Sequence, residues 1–306
     1  MPVALHLDLD GAWDAAALEG AFAGLATLEC RGWGPRLRFT APRAAMEAFY
    51  EAVRPQLRPF LIYGSGDFHH LAALWLRRWR EPVSVVSFDN HPDWDTRPPH
   101  WCCGSWVSRA LELPQVETVA VWGCGNFELE WPNRLFANHA GLRSGRLSVY
   151  PWGERLKEAT RRRWPVLARE RWRERFAQWV ETQTQRKVYI TVDLDCLQRS
   201  EAATNWENGL FSAEDLAWAL GQLHTRAEVI GGDLCGAYSR PVYARWRQRI
   251  AGRFDHPRLP EMDEAQERER NFRTLRALWP AFTGRPVPVE TLTPVLGEAA
   301  PRGVYA

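Results

Sequence analysis

The chain lacks any apolar run approaching the roughly 18 residues that a membrane-crossing helix needs. Its opening residues, MPVALHLDLDG, carry neither a basic region nor a long apolar stretch, so no targeting segment is expected. No CxxC pair occurs among the six cysteines (Cys30, Cys102, Cys103, Cys124, Cys196, Cys235), and they form no framework of the small disulfide-scaffold kind. Charge of one sign is lacking too. With 39 basic and 37 acidic residues the net charge is +2, too weak a field to recruit nucleic acid or a membrane surface. There is no internal repeat and no linker-like stretch. A reducing, cytoplasmic location and a small-molecule partner are the expectations these absences leave; a homo-oligomer is compatible with them.

Tryptophan, by contrast, is abundant. Several of the 17 lie in Arg-rich helical stretches (Trp75, Trp79, Trp164, Trp172, Trp246), where a ring packs inward while neighbouring arginines stay in water. The run Arg161–Arg175 reads the same way, as the solvated face of a crossover helix and not as a nucleic-acid patch. A hydrophobic fraction of 45% over 306 residues is ample for one large core.

Short apolar runs alternate with helical periodicity along the chain. Strands are expected at Val3–Asp8, Leu37–Phe39, Pro59–Tyr63, Val83–Phe88, Glu117–Trp122, Leu147–Tyr150, Lys187–Val192 and Ala227–Ile230. Helices are expected from an Asp14 cap to about Phe22, and at Ala44–Val53, Leu71–Arg80 and Ser105–Leu111. Glu154–Thr184 holds one or two more, broken near Trp164-Pro165. Another runs from a Ser212/Asp215 capping box to Leu223, and a last one over Glu261–Leu278. Residues 254–306 thus read as a terminal helix and a surface tail, Pro286–Ala306. This alternation predicts one α/β domain over residues 1–306, with a mainly parallel sheet and right-handed crossovers.

Four of these strands end in polar clusters: GSGDFHH, DNHPDWD, DLDC and GGDLCG. In open parallel sheets, functional groups collect beyond the carboxyl ends of the strands, and here the Asp and His residues follow the strands instead of preceding them. Asp89, Asp93, Asp193 and Asp195 are hard oxygen donors; His91 and one of His69 or His70 supply nitrogen. Four carboxylates exceed what one divalent ion balances. Two ions sharing bridging carboxylates would balance the set and hold a hydroxide between them. Carboxylate dominance favours Mn²⁺ over a thiolate-selected Zn²⁺ site.

The same residues carry a family resemblance. Asp89-Asn90-His91-Pro92-Asp93 resembles the DAHxD motif of the ureohydrolases (arginase, agmatinase, formiminoglutamase). Thr191-Val192-Asp193-Leu194-Asp195 resembles their SxDxD motif, and Ser65-Gly66-Asp67-Phe68-His69-His70-Leu71 their GGDHS turn with one residue inserted. Thr204-Asn205-Trp206-Glu207-Asn208-Gly209-Leu210 is similar to the loop that follows SxDxD. The resemblance covers about residues 59 to 240. It implies the three-layer arginase-like α/β fold, with helices on both faces of the sheet. It also implies two divalent metal ions, one held by His69, Asp89, Asp93 and Asp193, the other by His91, Asp195 and the shared Asp89 and Asp193. His69 is preferred to His70 because it keeps the register of the helix start at Leu71.

The implied activity is hydrolysis of a carbon–nitrogen bond in a small linear amide, formimino or guanidino compound through a metal-bridging hydroxide. Two positions depart from the pattern. Gly236 stands where guanidine-cleaving members present a glutamate, and an unpaired buried cation is expensive. Cys103 stands where arginase-like sequences place a proton-shuttle histidine. His100 and Asp233 are the candidate acid–base residues, and Trp206, Glu207 and Cys103 are candidate pocket residues. A deacetylase-like metalloamidohydrolase and a metal-binding protein without turnover are the alternatives.

Overall fold

The computed structural model describes residues 3–99, 101–257 and 263–285. Its strands are β1 (Ala4–Asp8), β2 (Leu25–Glu29), β3 (Phe60–Ile62), β4 (Val83–Phe88), β5 (Val116–Trp122), β6 (Leu147–Tyr150), β7 (Lys187–Asp193) and β8 (Glu228–Cys235). They form one sheet in the order β2-β1-β3-β8-β7-β4-β5-β6, with every pairing parallel. Parallel neighbours need crossovers, so both faces must be covered, and the strands are apolar on both sides. In β4, Val83 and Val85 enter one apolar cluster while Val86 and Phe88 enter the other.

Helix Arg43–Val53 brings Met46, Phe49, Tyr50 and Val53 to the first cluster. Helix Ala213–Arg226 brings Leu216, Ala219, Leu220 and Leu223 to the second, and helix Glu264–Thr283 adds Leu275, Leu278 and Phe282. Each such side chain contributes about 1.5–3 kcal/mol through the apolar area it removes from water. The result is a three-layer α/β fold. Among the described residues no helix is long and apolar enough to cross a membrane.

Most elements fall where periodicity predicts them, with Val83–Phe88 and Leu147–Tyr150 matching end to end. The Asp14 side chain caps its helix by accepting from Ala17 N–H, and Ser212 and Asp215 close a capping box. Three segments differ. The strand expected at Leu37–Phe39 does not form. Leu37 ends a helical turn, and Phe39 is left-handed (φ 66°), its backbone tied to Asp67 and Cys103. The second strand is instead Leu25–Glu29, an edge strand with one buried residue and hence little periodic signal.

The helix expected over Leu71–Arg80 is broken. A 3₁₀ turn, Gly66–Leu71, with all six residues buried, precedes a short α-helix at Ala72–Trp75 and a second 3₁₀ turn at Leu76–Arg78. The last described helix continues past the expected end at Leu278, through Pro280, because Trp279 and Phe282 pack on Phe22 and Phe60. Gly284, left-handed at φ 68°, caps it. The tail Pro286–Ala306 lies outside the described residues.

Candidate metal centre

Strand order explains why distant motifs meet. β3, β8, β7 and β4 lie side by side, so the loops after all four open at one place. There His69 Nδ1 stands 3.1 Å from Asp89 Oδ2, 3.2 Å from Asp93 Oδ2 and 3.5 Å from Asp193 Oδ2. His91 Nδ1 stands 2.9 Å from Asp195 Oδ2 and 3.5 Å from Asp89 Oδ1. Asp89 thus faces one histidine with each oxygen. Two triads with metal-ligand spacing share it: His69, Asp89 and Asp93, and Asp89, His91 and Asp195. A further triad joins His69 and Asp193 to Cys235, whose thiol lies 3.4 Å from Asp193 Oδ2.

These six predicted residues are brought together with His69, and not His70, facing the carboxylates. His70 is fully buried beside them in sequence, and burial lowers its pKa to about 3.

Local geometry aims the ligands. Asp93 adopts φ 45°, a strained conformation for a non-glycine residue that is met most often at functional sites. Backbone amides fix the other carboxylates: His91 N–H donates to Asp89 Oδ1, Asn90 N–H to Asp195 Oδ1, and Asp195 N–H to Asp193 Oδ1. Behind His69, the Thr191 hydroxyl donates to Asp233 Oδ1 at 2.9 Å and lies 2.9 Å from His69 Nε2. With its only proton directed to Asp233, that hydroxyl accepts from Nε2–H, which leaves Nδ1 as the ring atom facing the carboxylates.

Asp233 was expected beside the reaction. It lies instead beneath His69, fully buried and bonded to Tyr63 and Thr191, because β8 carries it on the interior side of the strand end. Gly236, the residue just past the end of β8, is where a side chain is excluded. Its φ is +100°, and a Cβ there would meet Asp193 Oδ1 at 2.2 Å. The position that would hold a glutamate is filled by the floor of the centre itself.

Electrostatics strain the centre in the absence of cations. Burial and the neighbouring Asp89 raise the Asp93 carboxyl to about 7. Burial and Asp193 raise Asp195 well above the carboxylate range, and burial raises Asp193 as well. Burial also opposes ionisation of Asp89, yet the facing imidazoles of His69 and His91 outweigh this and hold it low. Burial disfavours charge on both imidazoles, but the carboxylates raise them well above the usual histidine value. Asp89 Oδ2, Asp195 Oδ2 and His69 Nδ1 are inaccessible and lack hydrogen-bond partners. Converging, unpartnered oxygen and nitrogen donors without a lysine or arginine among them fit divalent cations.

A narrow cleft of about 40 Å³ opens onto the centre. By a water's share of such volume it has room for a few waters or one functional group. Trp206 walls it, edge-on to His91 at 5.4 Å, and Cys103 lines it beside Gly104. Glu207, next in the same loop, does not line the cleft; it is half-exposed outside it, with Oε2 3.5 Å from His91 Nε2. His100 lies outside the described residues.

Sequence reasoning missed Asn126, Glu128 and Asp255, which also line this cleft. The first two follow β5, another carboxyl strand end, in the run GCGNFELE. It missed His256 as well. Its Nε2 bonds the buried Asp67 at 2.6 Å, its ring lies 4.6 Å from that of Trp206, and Asp67 is paired in turn with Arg38 at 2.6 Å. Asp8 and Asp10 serve turns and ion pairs: Asp8 binds Arg31, and Asp10 accepts from Ser65 N–H and the Ser239 hydroxyl.

Fold and centre together define the class: the three-layer α/β fold of arginase with a buried carboxylate–histidine centre at its strand ends. Arginase from Bacillus subtilis superposes with a TM-score of 0.56 at 13% identity, over 94% of this chain and all of that one. Arginase from Bacillus cereus gives 0.55 at 16% identity, over 94% and 100%. Proclavaminate amidino hydrolase from Streptomyces clavuligerus gives 0.54 at 13%, over 92% of each chain. In sequence, an uncharacterized protein of Thermotoga maritima is 27% identical over 186 residues, a span of 61% of this chain and 61% of that relative. No protein-family model matches the chain.

Proposed function

We propose that this chain is a divergent ureohydrolase, a binuclear metal-dependent hydrolase acting on a carbon–nitrogen bond of a small linear amide, formimino or guanidino compound. One observation carries the reading: two triads share Asp89 at the carboxyl ends of β3, β4 and β7, with unpartnered donor atoms turned toward one another. His69, Asp89, Asp93 and Asp193 would hold one ion. His91, Asp195 and the shared Asp89 and Asp193 would hold the second. The preponderance of carboxylate oxygen favours Mn²⁺. When bound, such a pair supplies Lewis acidity toward the carbon–nitrogen centre and acidifies water.

The chain's own residues do the rest. Thr191 and Asp233 orient His69 from behind, and the Glu207 carboxylate, 3.5 Å from His91 Nε2, favours charge on that ring. Trp206 and Cys103 narrow the cleft and limit water beside the susceptible bond. His100 is proposed to pass a proton to the leaving nitrogen. Six unpaired cysteines, five of them buried, support a reducing compartment.

Metal content tests the reading first. Purified protein is expected to bind two Mn²⁺ and to gain thermal stability with added Mn²⁺, and Asp89→Asn and Asp193→Asn should lose that gain. Absence of both effects overturns it. A panel of guanidino, formimino and acetylated amines, read for urea, formamide and acetate, then identifies the reaction. Silence across the panel with two ions bound favours a metal-binding protein without turnover.

A further inference from the structure

Part of the lining of the cleft has a chemistry that the hydrolase reading does not use. Glu128 and Asp255 line it from two separate elements, the turn Phe127–Leu129 after β5 and the last residue of helix Trp246–Asp255. Neither carboxylate makes an ion pair among the described residues. Glu128 Oε2 is inaccessible and without a hydrogen-bond partner. Its Oε1 lies 3.7 Å from the place a Cβ would take on Gly104, a point 4.0 Å from Asp93 Oδ1, so Glu128 and Asp93 share the space above that glycine. Glu128 belongs to none of the groups with metal-ligand spacing, which separates it from the centre proper.

Asn126 supplies a second, independent feature. It is 8% exposed, and its Oδ1 is committed to capping the turn by accepting from Glu128 N–H. That bond fixes the amide orientation, and the remaining Nδ2 is a buried donor with no partner in the same cleft. An unpaired buried donor is costly, and a ligand acceptor removes that cost.

We infer that Glu128, Asp255 and Asn126 form a recognition wall for a small nitrogenous cation that also carries an oxygen acceptor. The carboxylates take the charged nitrogen, and Asn126 Nδ2 donates to the oxygen. The inference rests on the hydrolase reading and names the substrate class of that site. It also resolves the position at Gly236. A carboxylate cannot be accommodated there, and Glu128 restores one elsewhere in the lining.

Binding of non-reacting probes to the Mn²⁺-loaded full chain tests this apart from turnover. Butylammonium and 4-aminobutyrate, which hold no amide, formimino or guanidino bond, are compared with the neutral butanol and butyl methyl ether by calorimetry. The cations are expected to bind at least tenfold tighter than the neutral probes. Glu128→Gln should remove at least tenfold of that preference with bound Mn²⁺ unchanged, and Asp255→Asn should weaken it. Asn126→Ala should weaken 4-aminobutyrate and leave butylammonium unaffected. Equal binding of neutral and cationic probes, or full cation affinity in Glu128→Gln, overturns the inference. So does loss of Mn²⁺ in Glu128→Gln, which would make Glu128 a metal ligand. Selective cation binding with no turnover on any panel substrate leaves the inference standing and overturns the hydrolase reading. Turnover of a neutral amide unaffected by Glu128→Gln does the reverse.

Discussion

Replacing Thr191 with valine keeps the shape of the residue beneath His69 and removes only its hydroxyl. Two bonds of 2.9 Å disappear together, one to His69 Nε2 and one to Asp233 Oδ1. The imidazole N–H is left buried without a partner, at a cost of about 1–3 kcal/mol. Asp233 keeps its Tyr63 donor at 2.7 Å and loses a bond worth about 1 kcal/mol. Metal-free Thr191→Val is therefore expected to be less stable than the parent by roughly 2–4 kcal/mol in urea denaturation. Removing a group that orients a ligating histidine typically weakens metal binding ten- to a hundredfold. Calorimetric titration with Mn²⁺ should show a loss in that range, about 1.4–2.8 kcal/mol. Thr191→Ser keeps the hydroxyl and should bind Mn²⁺ as the parent does. If Thr191→Val retains parental Mn²⁺ affinity, the relay from Asp233 through Thr191 does not set the orientation of His69.

Gly236→Ala must place a Cβ 2.2 Å from Asp193 Oδ1 at φ +100°, and should lose about 3 kcal/mol or more in denaturation together with Mn²⁺ binding. Gly221→Ala, in open space within helix Ala213–Arg226, should instead stabilise by about 0.5–1 kcal/mol. Arg38→Met strands the fully buried Asp67 and should cost about 3–5 kcal/mol, with part recovered in Arg38→Met/Asp67→Asn. Burial works against ionised Asp67, but Arg38 and His256 hold its carboxyl down to about 2. Its contribution is present above its unfolded value and is lost as pH falls through about 2, so the gap between parent and Asp67→Asn should close over that interval. Asp93 behaves oppositely. Its folded value of about 7 exceeds the unfolded value of 3.8, so the metal-free protein binds more protons folded than unfolded in between. Stability should fall as pH rises from about 4 to 7, and saturating Mn²⁺ should abolish that fall in a pH series of urea midpoints.

The sheet was legible in the sequence wherever burial is two-sided. Val83–Phe88 and Lys187–Asp193 are rich in β-branched and aromatic residues and are buried almost throughout, as central strands are. Leu25–Glu29 was not legible, since an edge strand with one buried residue leaves no periodicity to read. The turn holding His69 escaped for a different reason. Every residue from Gly66 to Leu76 is buried, so no face is polar and the helical repeat carries no information about where 3₁₀ geometry takes over.

The six converging Asp and His residues were legible because their spacing after strands is local. Asn126 and Glu128 were equally local, following β5 as the others follow β3, β4 and β7, but a Gly- and Asn-rich run reads as connection. Asp255 and His256 reach the cleft only through tertiary packing of a helix more than 50 residues beyond β7, which no local pattern records.

The order of strands has a consequence for how the protein comes into being. β3 and β4 are consecutive along the chain, yet β8 and β7 stand between them in the sheet. During synthesis the ribosome delivers His69 and Asp89 early, on strands that must stay unpaired with each other until residues 187–235 arrive to fill the gap. Contacts so distant in sequence form slowly, after a large loss of chain entropy. A nascent chain therefore holds Asp89 and Asp193 apart for most of its elongation. On the proposed reading, a divalent ion would be no early template and would find its site assembled only once the central strands have slotted home.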